Sequence, residues 1–162
     1  MNEIAVLTSG GLDSAILLAD LATSNKIHPI YVRSGLRWEN EEINSLQNFI
    51  DAINNPLISE IVTLSIDGSS LYGKTHWSIQ GQVPAYDAPD EQVYIPGRNF
   101  ILIGLAAIWC SSHNISSIFL GSLKGNPFAD ATDQFLNDYS KILKYGLNKD
   151  ISVQTPYKEK NK

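Results

Sequence analysis

Residues 4–14 read IAVLTSGGLDS and decide the fold of this chain. The apolar run at residues 4–7 predicts a buried strand, because short continuous apolar runs are typical of strands inside a parallel sheet. From residue 13 to residue 24 the apolar side chains recur at helical spacing. The opening of the chain therefore predicts a strand, a tight glycine turn and a helix.

The turn between this strand and helix has the composition of an anion-binding site. Gly10 and Gly11 allow the backbone to turn tightly and to approach a ligand closely. Successive N–H groups in such a turn and the positive end of the following helix both attract anions. We therefore predict a pyrophosphate cradle, although the same glycines would also serve a simple strand-to-helix turn. The cradle consists of Thr8, Ser9, Gly10, Gly11, Leu12, Asp13 and Ser14.

Asp13 is an unexpected residue in a phosphate site. The chain has neither the Walker A loop (G-x-x-x-x-G-K-S/T) nor the G-x-G-x-x-G loop of dinucleotide folds. A carboxylate beside phosphates is explained if Mg²⁺ lies between them. Alternatively, Asp13 caps the first helix.

Strand-like and helix-like runs alternate along the rest of the chain. Further strands are predicted at residues 27–32, 58–66, 115–120 and 151–154, and further helices at residues 39–53, 100–110 and 132–147. This alternation predicts an α/β fold with a doubly wound, mainly parallel five-stranded sheet and helices on both faces. Ligands of such sheets bind at the carboxyl ends of the strands, which are followed here by Ser9, Ser34, Asp67 and Gly121.

Two of the predicted helices have informative side chains. Residues 100–110 are apolar nearly all round, which predicts a helix buried on all sides. The helix at residues 39–53 begins with Glu39, Glu41 and Glu42, which we interpret as a solvated start that favours the helix dipole.

Residues 68–97 interrupt the alternation as an irregular insertion within a single domain, residues 1–162. Long irregular segments inside compact domains are usually functional or disordered, and the aromatic residues here favour a functional role. Trp77 is a candidate platform on which a planar base could stack.

Composition excludes several classes of protein. With 162 residues, 43% hydrophobic, and a net charge of −5, the chain can build a core but is poorly suited to holding duplex nucleic acid. Its single cysteine, Cys110, excludes an intrachain disulfide and lies in an apolar run that predicts a buried, inert thiol. The chain shows neither a secretory signal nor an apolar run long enough to cross a membrane. We therefore expect a cytoplasmic protein.

Two motifs resemble a known family. Residues 9–14, SGGLDS, resemble the SGGxDS signature of the PP-loop ATP pyrophosphatase superfamily. Residues 93–99, VYIPGRN, resemble the PGRN segment of the 7-cyano-7-deazaguanine synthases of queuosine biosynthesis. The order of Gly121, Asp130, Phe135 and Thr155 is also similar to that family, so the resemblance covers nearly the whole chain.

The resemblance implies an adenine nucleotide alpha hydrolase-like fold and an ATP-dependent ligase. ATP would be cleaved to AMP and pyrophosphate with Mg²⁺, adenylating a small carboxylate, such as a deazapurine, that ammonia then converts to an amide or nitrile. The resemblance also allows that this protein forms a homodimer, because many related enzymes are dimers. The implied catalytic residues are Asp13, Arg98 and Asp130, with Asp13 on the metal. The ATP-binding residues are residues 8–14, Arg98, Asn99 and Gly121.

The residues after the insertion allow two interpretations each. Arg98 could bind phosphate oxygens in bidentate fashion, or it could be a surface residue. Asn99 could cap the following helix and orient a neighbour. Asp130 could contact a substrate base or Mg²⁺, or it could cap the helix near Thr132, a role for which Asp133 competes.

The chain also departs from the family. Asp130 matches the family's Tyr-Pro-Asp-Cys-Arg stretch, whereas Ala131 and Thr132 stand where the family has Cys and Arg. The family's four-cysteine zinc region is not among these residues, and Lys162 falls where the family has a lysine near the nucleotide phosphates. Two alternatives therefore stay open: a PP-loop enzyme that acts on another acceptor, and a module that binds adenine nucleotides without catalysis. A third alternative, a universal-stress-like binder, is less favoured because the glycine loop suits a leaving pyrophosphate.

Overall fold

The computed structural model describes residues 1–81, 84–85 and 88–160, and Lys162 lies outside them. Its sheet has five strands in the order β3-β2-β1-β4-β5, and every neighbouring pair is parallel. This confirms the predicted doubly wound α/β fold. The strands are β1 (Asn2–Leu7), β2 (Asn25–Arg33), β3 (Val62–Ser65), β4 (Ser117–Leu120) and β5 (Ser152–Gln154).

Helices cover both faces of the sheet. The described residues form α1 (Leu12–Leu21), α2 (Glu39–Ile53), α3 (Gly68–Tyr72), α4 (Trp77–Gln80), α5 (Asp90–Val93), α6 (Arg98–Ser112) and α7 (Asp133–Leu147), with a 3₁₀ turn at Ala129–Ala131. The bounds of α2 are those predicted. The third strand is shorter than predicted, because Ile58 forms only an isolated bridge with Ile27 before the chain pairs regularly from Val62.

Alternation along the central strand β1 divides the core into two layers. Ile4 and Val6 pack toward α1 and α2, whereas Ala5 and Leu7 pack toward α6 and α7. Successive side chains of a strand point to opposite faces, so one buried strand supports both layers. β1 therefore lies at the centre of the molecule, and its carboxyl end delivers the glycine turn to the middle of one sheet edge.

The prediction that α6 is buried on all sides is wrong. Ile103, Ala107 and Cys110 are fully buried, whereas Phe100 and Ile108 are 50% and 56% exposed. The helix packs on the sheet and α7 along one face only. Burial raises the pKa of the Cys110 thiol to about 12, which confirms the expectation of an inert cysteine.

The insertion is more regular than predicted, because it contains α3, α4 and α5. Asp67 accepts a hydrogen bond from the Ser69 amide at 3.0 Å and so caps α3. The Tyr72 hydroxyl donates to the Pro96 carbonyl at 3.0 Å, which ties the beginning of the insertion to its end. Within the described residues, no helix combines the length and apolar character needed to cross a membrane.

Candidate active site

A cavity of about 340 Å³ opens at the carboxyl edge of the sheet. Its walls come from the ends of β1, β2 and β4, the starts of α1 and α6, and the insertion. Of the four residues predicted from the strand ends, Ser9 and Gly121 line this cavity, whereas Ser34 and Asp67 lie outside it. The cavity also collects most of the other predicted site residues, namely Thr8, Gly11, Asp13, Ser14, Arg98, Asn99 and Asp130.

Close backbone packing fixes the glycine loop after β1. Gly10 has φ +70°, and a Cβ on it would lie 2.3 Å from the backbone oxygen of Glu42 in α2. The Thr8 amide and hydroxyl both donate to the Ile30 carbonyl, at 2.9 and 3.0 Å, and so anchor the loop to β2. The loop is therefore held in one conformation that only glycine permits at residue 10.

The amino terminus of α1 faces the cavity. Gly11 precedes the helix and has no side chain to cap it. The Ser14 hydroxyl donates to the Gly11 carbonyl at 2.9 Å and accepts from the Ser9 amide at 3.3 Å. Gly121 allows β4 to approach, because a Cβ there would lie 3.2 Å from the Asp13 backbone. The uncapped N–H groups and the helix dipole are suited to bind an anion, so the anion site stays a prediction that this geometry supports.

Asp13 is the second residue of α1 and does not cap it, so the capping interpretation is wrong. Asp13 lines the cavity beside the glycine loop. The described residues contain no group of three or more His, Cys, Asp or Glu side chains able to hold a metal ion. A single carboxylate fits Mg²⁺ that arrives with phosphate oxygens, because Mg²⁺ commonly binds through one or two carboxylates, phosphates and water.

Asp130 holds the start of α6. The Asn99 amide donates to Asp130 Oδ2 at 2.9 Å, and the Asn99 side-chain amide donates to the Asp130 carbonyl at 3.3 Å. Asn99 therefore lies inside the helix and does not cap it, contrary to the prediction. Asp130 does not cap α7 either, because Thr132 accepts the Phe135 amide there at 3.2 Å. The contact places Arg98, the first residue of α6, on the cavity wall.

Replacing Asp130 by alanine is expected to lower the free energy of unfolding by about 1–2 kcal/mol, because α6 loses the acceptor for its first turn. ATP-dependent activity should fall as well, since Arg98 is displaced with the helix. Urea unfolding measures the first effect. Asp133→Ala is the control, because that carboxylate is largely exposed and forms only an ion pair with Lys158. Equal effects of the two changes would contradict the assigned role.

The sequence interpretation of the acidic helix start is wrong for two of its three residues. Glu41 is exposed, but Glu39 accepts from the Ser34 and Gly35 amides at 3.1 and 3.0 Å. Glu42 lines the cavity and accepts from the Tyr31 hydroxyl at 2.6 Å. Burial raises the pKa of Glu42 despite the opposing effects of Tyr31 and Arg98, and burial raises the pKa of Tyr31 as well. Glu39 and Glu42 are three residues apart, so they share one face of the helix. This spacing was the sequence signal that could have set these two residues apart from Glu41.

Two stacked aromatic pairs line the cavity. Trp38 and Trp77 have ring centroids 5.7 Å apart and an interplanar angle of 20°. Tyr94 and Phe128 have centroids 5.1 Å apart at 27°. Trp77 thus lies at the site, where the sequence predicted a platform for a planar base, and its partner Trp38 was not predicted.

The fold and the loop together define the class of this protein. A parallel sheet of order β3-β2-β1-β4-β5 with a glycine-rich anion loop after its central strand is an adenine nucleotide alpha hydrolase-like domain of the PP-loop type. The family model described as "Queuosine biosynthesis protein QueC" matches residues 3–162. The chain belongs to this family of PP-loop ATP-dependent enzymes.

Curated relatives agree with the family match. The chain is 27% identical over 176 residues to the 7-cyano-7-deazaguanine synthase of Methanocaldococcus jannaschii, covering 100% of this chain and 73% of the relative. It is 31% identical over 147 residues to 7-cyano-7-deazaguanine synthase 1 of Desulfitobacterium hafniense, covering 88% of this chain and 64% of the relative. The chain thus spans about two thirds to three quarters of the relatives' length.

A solved structure supports the fold. The "predicted subunit of tRNA methyltransferase" from Methanocaldococcus jannaschii matches with a TM-score of 0.61 at 15% identity, covering 99% of this chain and 70% of that one. At this identity the likeness concerns the fold.

Proposed function

We propose that this domain binds ATP with its phosphates on the glycine loop and cleaves it to AMP and pyrophosphate, adenylating a small carboxylate. The observation that carries the proposal is the loop at Gly10, which is locked against α2 and presents the uncapped start of α1 to a cavity. The names of the relatives give a deazapurine nitrile as their product, and the acceptor proposed here is the corresponding deazapurine carboxylate.

In the first step, a carboxylate oxygen of the acceptor attacks the α-phosphorus of ATP. The bond from that phosphorus to the oxygen bridging the α- and β-phosphates breaks, and pyrophosphate leaves with the bonding electrons. Backbone N–H groups at the start of α1 are suited to stabilise the charge that develops on the leaving group. Asp13 would hold Mg²⁺, which when bound neutralises phosphate charge.

Arg98, on the wall of the same cavity, is suited to bind the phosphates. The ion pairs among the described residues do not include Arg98. A planar guanidinium can donate two parallel hydrogen bonds to phosphate oxygens. Asp130 serves as the positioning residue that holds the start of α6 beneath Arg98.

In the second step, ammonia attacks the carbonyl carbon of the acyl adenylate, AMP leaves, and the nitrogen loses a proton to give the amide. A nitrile requires a second ATP: the amide oxygen attacks its α-phosphorus, pyrophosphate leaves, and the nitrile forms as AMP departs with that oxygen and the nitrogen loses its two protons. The protein supplies no nucleophile of its own in this sequence, so the site needs only binding, orientation and charge stabilisation.

The residues around Ala131 favour testing more than one acceptor. Ala131 lies on the cavity wall, at the position where the family's Tyr-Pro-Asp-Cys-Arg stretch has a cysteine. A smaller, unreactive side chain there is compatible with a PP-loop enzyme whose acceptor differs from that of the named relatives.

Exchange of labelled pyrophosphate into ATP tests the proposal directly. The exchange should require both Mg²⁺ and one member of a panel of planar carboxylates, including 7-carboxy-7-deazaguanine. Under full turnover with ammonium, AMP and pyrophosphate should form in place of ADP and phosphate. Formation of ADP would refute the proposed cleavage, and ATP binding without exchange for any carboxylate would favour the non-catalytic alternative.

A further inference from the structure

The Glu42 carboxylate lies in the cavity but has no part in the chemistry proposed above. One of its oxygens, Oε2, accepts the Tyr31 hydroxyl at 2.6 Å. The backbone carbonyl oxygen of Glu42 faces Gly10 of the glycine loop. The side chain therefore lines the part of the site that adjoins the ATP phosphates, which is where an attacking acceptor must bind.

Folding alone does not explain a carboxylate at this position. Leu46, on the same helix, is 1% exposed and anchors α2 in the core together with partly buried neighbours such as Ile43. Burying a carboxylate costs free energy unless its charge is compensated, and burial raises the pKa of Glu42. The Tyr31 hydroxyl, Arg98 and the Trp38 side chain each lower that pKa in part, but burial outweighs them. A ligand that donates hydrogen bonds would supply the remaining compensation.

The indole rings of Trp38 and Trp77 line the cavity beside Glu42. Trp38 lies four residues before Glu42, hence on the same side of the helix start, and stacks on Trp77 from the insertion. A carboxylate beside an aromatic stack suits a flat ring that carries N–H donors on one edge. The second aromatic pair, Tyr94 and Phe128, lines the same cavity, and in this proposal it is assigned to the adenine ring of ATP.

We propose that Glu42 is the residue that selects the acceptor, accepting hydrogen bonds from ring N–H and amino groups of a planar heterocycle stacked against Trp38 and Trp77. This proposal rests on the proposed function in placing the ATP phosphates on the glycine loop and in taking that heterocycle to be the adenylated substrate. It assigns Glu42 to specificity, distinct from the loop and Arg98, which bind ATP.

Binding measured without catalysis tests the assignment. Quenching of tryptophan fluorescence is followed during titration with 7-carboxy-7-deazaguanine and with the analogue that lacks the 2-amino group. The unaltered protein should bind the amino compound at least tenfold more tightly. Glu42→Gln, which keeps an acceptor for Tyr31 and replaces the other carboxylate oxygen by an NH₂ donor, should lose that preference. Glu41→Gln, a change at the exposed neighbour, should retain it.

Three results separate this inference from the proposed function. Unchanged affinity and unchanged discrimination in Glu42→Gln would overturn the role of Glu42. Trp77→Ala, a second variant in a short surface helix, should weaken both compounds alike, and unaltered binding there would overturn the stacking surface. Pyrophosphate exchange by the unaltered protein reports separately on the adenylation reaction. A thermal melt of each variant identifies any loss of folding.

Discussion

Replacing Gly10 by alanine is expected to reduce ATP cleavage by about a hundredfold to a thousandfold, the effect of losing a positioned donor to a developing anion. The same change should lower the free energy of unfolding by about 1–3 kcal/mol, the usual cost of a strained backbone position. Gly10 has φ +70°, and the new methyl group would lie 2.3 Å from the Glu42 carbonyl oxygen. Because that oxygen belongs to the backbone of α2, the loop must move away, and its N–H groups move with it.

A second glycine separates steric conflict from backbone strain. Gly125 has φ +82°, and a Cβ there would meet no atom within 4 Å. Gly125→Ala should therefore show the cost of the left-handed conformation while leaving ATP cleavage nearly intact. Pyrophosphate release gives the activity and urea unfolding gives the stability of both variants. Equal activity in the two would show that the glycine loop does not hold the phosphates.

Replacing Arg98 by alanine should also lower turnover by about a hundredfold to a thousandfold, with a change in unfolding free energy within about 0.5 kcal/mol, typical of a substitution outside the packed core. Arg98 lines the cavity and forms no ion pair among the described residues, so little of the fold depends on its charge. Arg98→Lys should recover only part of the activity, because an ammonium group cannot donate the same pair of parallel hydrogen bonds.

Arg37→Ala is the matched control for this prediction. Arg37 is exposed and lies outside the cavity, so its replacement should leave turnover within about twofold and stability within about 0.5 kcal/mol, the usual range for surface changes. Initial rates at varied ATP concentration separate effects on KM from effects on kcat. Full turnover by Arg98→Ala would remove Arg98 from the site, and a large loss of stability would give it a structural role.

The sequence was sufficient for the sheet and for the glycine turn after β1, because both are local patterns, whereas phosphate binding by this turn stays a prediction. Apolar runs and helical spacing identify elements wherever one face is buried, and Gly10 and Gly11 lie between two such elements. The same patterns cannot say which element covers a helix. The exposed face of α6 at Phe100 and Ile108 was therefore missed, since apolar composition alone does not distinguish a covered face from an open one.

The other sequence predictions that the structure contradicts involve contacts between residues that are distant in the sequence. Asp130 accepts the amide of Asn99, 31 residues earlier in the first turn of α6, and local capping rules consider only the next few positions. Glu42 meets Tyr31 of β2 across the end of the sheet, so a helix start that looks solvated in the sequence becomes a cavity wall. Trp38 was likewise missed because its partner, Trp77, belongs to the insertion.

The position of β1 in the sheet has a consequence for how the protein is made. β1 pairs with β2, which follows closely in the chain, but also with β4, where Ala5 is matched to Ile118. Pairings between distant segments form slowly, because a long stretch of chain must first be ordered. During synthesis on the ribosome, the glycine loop emerges early yet remains without Gly121 until β4 has been made. We therefore expect a newly made chain to gain affinity for nucleotide late and abruptly, when the second neighbour of β1 joins the sheet.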